Sequence, residues 1–141
     1  MTQNEKDLLL KDLCARLPYN IKVYDNNGNF NTSYVNLLHI NGKVSEAFVG
    51  NGMQCRTAPI EEVKPYLFPL SSMTEEQKNS FPFSYSFLEA LIDDGVYFDE
   101  DECITLNDMI EVIQWCYKNH FDIHGLIPKG LANDATGLNI Y

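Results

Sequence analysis

Residues 105–132 read TLNDMIEVIQWCYKNHFDIHGLIPKGLA and hold the only Trp, two of the three His and the clearest helical spacing in the chain. Leu106, Met109, Ile110, Ile113, Cys116 and Tyr117 recur at intervals of three and four, which lines one face of a 3.6-residue helix. Such a face is expected to lie on a core. Thr105, with Asp108 three residues on, supplies the start: the hydroxyl can accept an orphan N–H, and the carboxylate suits the positive end of the helix dipole. Lys118 and His120 suit the other end. Beyond it Phe121, Ile123, Leu126 and Ile127 are interrupted by the breakers Gly125 and Pro128, so the chain should leave the helix and fold back over it as an ordered segment.

Outward from that stretch, the N-terminal residues also read as a helix. Thr2 and Glu5 have capping-box spacing, and Leu10, Leu13, Cys14 and Leu17 repeat until Pro18, with Leu9 widening the stripe. From Ile21 the period shortens to that of strands. Ile21 to Asp25, Phe30 to Ile40, Val44 to Val49 and Met53 to Thr57 are the expected strands. They are separated by Asn26-Asn27-Gly28-Asn29, by the hairpin signal Asn41-Gly42 and by Gly50-Asn51-Gly52. An antiparallel meander of about four strands follows, with helices on one face.

Pro59, Pro65 and Pro69 then bracket Ile60 to Leu70, and the prolines argue for a packed connector rather than a long helix or a central strand. Thr74 and Gln77 cap a short helix. Ser86 and Glu89 are expected to open a longer one carrying Phe87, Leu88, Leu91 and Ile92, ending near Gly95, before the acidic loop Asp99 to Glu102. The reading is an α+β fold: an N-terminal helix, a small antiparallel sheet of about four strands, and C-terminal helices packed on one face.

Composition narrows the function. At 141 residues and 45% hydrophobic, the chain is expected to form a single domain over 1–141 that buries its core without disulfides or metals. No apolar run is long enough for a membrane span and the first ten residues are too charged for a signal peptide, so the expected setting is the cytoplasm. The four cysteines, Cys14, Cys55, Cys103 and Cys116, are scattered, as expected of reduced thiols. A net charge of −10 argues against direct nucleic-acid binding and is compatible with a basic protein partner.

Three blocks, LLLKDLCARLPY at 8–19, EVKPYLFPLSSMTEEQ at 62–77 and NHFDIHGLIPKGLA at 119–132, resemble a family of small uncharacterised proteins encoded by phages and prophages of gut Bacteroidales bacteria. Together they cover about a third of the chain. The resemblance implies no activity and no catalytic residues. It does imply that Arg commonly stands where this chain has His124, which counts against a metal role there.

Cys116, His120 and His124 stand at i, i+4 and i+8, a spacing that would align three zinc ligands on a continuous helix. Asp99, Glu100, Asp101 and Glu102, with Asp93 and Asp94 before them, offer oxygen ligands or an interaction surface, without the spacing of an EF-hand loop. Ser71 and Ser72 lack a nucleophile elbow, Cys14 and Cys116 lie on apolar faces away from any basic neighbour, and no phosphate-binding glycine motif occurs, so no cofactor is expected. Tyr66, Phe68, Phe81, Phe83, Tyr85, Phe87, Tyr97 and Phe98 crowd the middle third and are expected mainly in the core, with an interface as the other use. The leading expectation is a non-enzymatic protein-binding module or modulator, in one version an acidic, DNA-mimic-like inhibitor of a basic partner. The alternative is a small metal-dependent hydrolase. A homo-oligomeric module is the third, and its sign would be an exposed apolar patch.

Overall fold

The computed structural model describes residues 1–25, 33–41, 44–50, 55–93, 101 and 103–141, and across 25–57 the backbone alone, apart from the turns left out. Helix α1 (Gln3–Arg16) opens on the expected capping box, with Thr2 Oγ1 accepting from Glu5 N–H and Glu5 returning to the Thr2 backbone. The expected strands follow as β1 (Lys22–Asp25), β2 (Ser33–Asn41), β3 (Val44–Gly50) and β4 (Cys55–Pro59). Each pairs antiparallel with the next except β4, the edge. The β2–β3 register sets Asn41 opposite Val44, so Asn41 ends β2 and the hairpin connection lies one residue later than the Asn41-Gly42 signal put it; residues 42–43, like 26–29 and 51–52, lie outside the described residues.

The proline-bracketed stretch is not a connector. Val63–Leu67 forms β5, antiparallel to β1, and its outer edge meets the two-residue β6 (Asn133–Asp134) in parallel, giving the mixed sheet order β4-β3-β2-β1-β5-β6. Pro65 is tolerated because β6 reaches only Tyr66 and Leu67. Among the described residues no strand pairs with that edge beside Pro65, and a missing N–H costs least at an unpaired edge.

Helices α2 (Glu75–Asn79) and α3 (Tyr85–Ile92) follow, and α4 (Leu106–Lys118) begins at Thr105 with the predicted cap. The α3 cap is Ser84, whose hydroxyl accepts from Phe87 N–H, so Ser86 lies inside the helix. Gly95, Tyr97 and Phe98 lie outside the described residues.

Among the described residues the core has three apolar clusters, of which the smallest gathers Tyr66, Ala135 and Ile140 and the other two are larger. One joins Leu9 and Leu13 of α1 to Val23, Val63, Leu67, Leu126 and Leu131. The other joins Val112 and Cys116 of α4 to Met73, Phe81, Leu88 and Phe121, with Phe87 and Trp115 against them. Most of the described middle-third aromatics are therefore core, as expected, while Tyr85 stands exposed. Among the described residues no helix is long and apolar enough to cross a membrane.

Candidate functional site

The face of α1 that turns inward is Leu9, Asp12, Leu13 and Arg16, not the Leu10 and Cys14 side. Arg16 is the largest fully buried side chain described. Its Nε donates to Asp12 Oδ2 at 2.7 Å and its Nη2 donates both to Asp12 Oδ1 at 3.0 Å and to the Phe121 carbonyl at 2.7 Å. The guanidinium also lies 4.8 Å from the centroid of the Tyr117 ring. Burial alone would raise the Asp12 carboxyl, but hydrogen bonds from His124 and Arg16 and the Arg16 charge outweigh it and hold it below its ordinary value.

The proposed ligands Cys116, His120 and His124 do not share one helix face, because α4 stops at Lys118. The stop is a Schellman turn: Phe121 N–H reaches the Cys116 carbonyl at 2.9 Å, His120 N–H reaches that of Tyr117 at 3.1 Å, and His120 takes the left-handed φ of 60°. Cys116 faces the core, where burial pushes its thiol up to about 12. His120 stacks on Tyr141 with centroids 3.7 Å apart, and burial, with the charges of Arg16 and Lys22, lowers it to about 4. His124 Nδ1 pairs with Asp12 Oδ1 at 3.1 Å. Among the described residues no group of three His, Cys, Asp or Glu side chains is placed to hold a metal ion. Of the acidic loop, Asp101 is described and exposed, whereas Asp99, Glu100 and Glu102 lie outside the described residues.

His124 also lines a cleft of about 330 Å³ with Asp122, Lys129 and the apolar Leu70, Leu91 and Ile92. An imidazole oriented by a buried carboxylate is an arrangement used for proton transfer. Among the described residues its lining holds no hydroxyl or thiol nucleophile. The Asp122 carboxylate is already committed, accepting the N–H groups of Leu126 and Ile127 at 2.8 Å each and so shaping the turn that contains Gly125.

The second candidate is the outer face of α4. The helical spacing of Leu106, Met109, Ile110 and Ile113 is as read, but the core is elsewhere: these four are 78%, 36%, 42% and 39% exposed. Val112 and Cys116, offset by about a quarter of a turn, are the residues that go in. Aromatic packing explains the offset, since Trp115 stacks on Phe121 at 5.6 Å and meets Phe81 edge-on at 5.3 Å. The helix is thereby turned so that its apolar row faces out. Asn107 and Gln114 run along one side of that row, and Lys118 and Glu111 share that flank, about 20° and 40° beyond Asn107 at 100° per residue, with Asn107 Nδ2 donating to Glu111 at 3.2 Å. No family model, no curated protein and no solved structure matches this chain.

Proposed function

We propose that this chain is a non-enzymatic protein-binding module that docks its partner through the apolar row of α4. The carrying observation is four large side chains, Leu106, Met109, Ile110 and Ile113, exposed by 36–78% at i, i+3, i+4 and i+7. That spacing is how a helix presents anchors to an apolar groove. The resemblance to phage and prophage proteins supports a modulator of a host or phage protein. In the acidic-decoy version the net charge of −10 would do the recognising. That version ranks lower because several carboxylates are engaged internally: Glu5 and Asp108 in caps, Asp12 with Arg16, Glu61 with Lys6.

The hydrolase reading rests on His124 and Asp12 beside the cleft. Elemental analysis and a substrate screen test it. The leading reading is tested by purifying the tagged protein from its native cells beside a Leu106→Ser/Ile110→Ser variant, with mass spectrometry of what accompanies each. A stoichiometric partner held by the wild type and lost by the variant is expected. Equal retention by both would overturn the assignment to α4.

A further inference from the structure

We infer that the cleft beside the 122–129 turn is a small-molecule site, and that its ligand is a neutral apolar compound carrying a hydroxyl group, such as a phenol. The inference goes beyond the α4 reading and does not depend on it. The cleft encloses about 330 Å³, enough for one small ligand. One side of it is aliphatic: Leu70, the α3 residues Leu91 and Ile92, and Ile123 are each half-buried, with the aromatic cluster around Phe121 behind them. His124 supplies a polar side, and a third of its side chain is exposed.

The imidazole is fixed from behind. Asp12 is wholly buried and held ionised by Arg16, whose Nε and Nη2 donate to its two oxygens. A carboxylate has no hydrogen to give, so His124 Nδ1, 3.1 Å from Asp12 Oδ1, is the donor of that pair. In the neutral ring Nε2 is then a lone pair turned away from Asp12, and among the described residues it accepts no hydrogen bond. Such an acceptor selects a ligand that donates. Lys129 stands beside the same residue: its Nζ donates to the carbonyls of His124 and Gly125 at 2.9 and 3.0 Å, and the third N–H of the ammonium is left for a ligand oxygen. One hydroxyl, donating to Nε2 and accepting from Lys129, serves both groups. Charge disfavours the other classes. The Asp122 carboxylate in the lining and the net charge of −10 repel an anion, and the Lys129 ammonium repels a cation. Asp122 does not compete for the hydroxyl, because its oxygens are taken by the N–H groups of Leu126 and Ile127.

The test is an amide NMR titration of the full chain with 4-methylphenol, with its methyl ether 4-methylanisole, and with 4-methylbenzoate. The phenol is expected to shift the His124, Gly125 and Ile92 amides saturably. The ether has the same ring and no hydrogen to donate, and is expected to bind about fivefold more weakly, with the benzoate weaker still. His124→Phe keeps the bulk of the ring and removes the acceptor, so phenol and ether are expected to bind it alike. Lys129→Met, at an exposed position, is expected to weaken the phenol by a similar factor and keeps the inference testable if the His124 variant does not fold. No saturable shift at these amides, equal affinity of the wild type for phenol and ether, the benzoate as the tightest of the three, or a phenol affinity untouched by either substitution would each overturn the inference. Partner capture through α4 is read separately and stands or falls on its own.

Discussion

Arg16 Nη2 donates to the carbonyl oxygen of Phe121 at 2.7 Å, tying the last turn of the first helix to the second residue after the α4 cap. The cation that does this has no exposure, and its charge is balanced by Asp12, which in turn holds His124. Removing one member leaves the other ionised in a dry site. Asp12→Asn or Arg16→Met is expected to lower stability by about 3–5 kcal/mol in urea unfolding, whereas Asp12→Leu/Arg16→Met, which removes both charges, is expected to recover most of that loss. A single variant costing under about 1 kcal/mol would show that the pair is not desolvated as the structure has it.

Acid should unfold this protein in two stages. His120 is lowered from 6.5 to about 4 by burial and by the Arg16 and Lys22 charges, so between those values the unfolded chain binds a proton that the folded one refuses. Stability therefore falls as pH drops from about 6.5 to about 4, by ~2 kcal/mol. Asp12 has the opposite character. Its depressed carboxyl stabilises the fold above its ordinary 3.8, and that contribution is lost as pH falls through the lower folded value. His120→Asn keeps a residue that accepts the left-handed φ of 60° and removes the first stage only. Melting temperature against pH for both proteins checks this, and an unchanged slope in the variant would reject the assignment.

The α4 face separates what the residue pattern could show from what it could not. Spacing located the helix, its cap and its apolar arc, because these depend on residues within a few positions of each other. Which part of the arc is buried depends on Phe81 and Phe121, far apart in sequence, meeting at Trp115. On α1 the same limit acts in reverse: the inward stripe contains Asp12 and Arg16, and an apolar count passes over charged residues that neutralise each other. Strand β5 was hidden by Pro65, which reads as a breaker unless it is known that the β5–β6 pairing takes in only Tyr66 and Leu67. His120 in a Schellman turn had no local signal, since Gly or Asn is the usual sign of that conformation.

Cysteine chemistry should sort by burial. Cys116 is buried with its thiol pushed up to about 12, while Cys14 and Cys103 are exposed. Thiolate is the reacting form. Under native conditions at neutral pH an aromatic disulfide reagent is expected to label Cys103 and Cys14, with Cys14 slower because partial burial raises its thiol, and to leave Cys116 unmodified until the chain unfolds. Peptide mapping reads the order, and prompt labelling of Cys116 would contradict its place in the core.

Val112 and Ile110 make the sharpest comparison on α4. They are two residues apart and of similar chemistry, yet Val112 is 4% exposed among Phe81, Leu88 and Phe121 while Ile110 is 42% exposed. Val112→Ala removes buried methyl groups and leaves a void between the aromatic rings, a cost of about 1–3 kcal/mol. Ile110→Ser changes a side chain that is 42% exposed, and its effect on unfolding is expected to be the smaller of the two, below about 1 kcal/mol. The two readouts are independent: Ile110→Ser should spare stability and abolish binding, and Val112→Ala should do the reverse. Were Ile110→Ser to destabilise as much as Val112→Ala, the apolar row would be core of the folded chain, and α4 would have no free face to offer a partner.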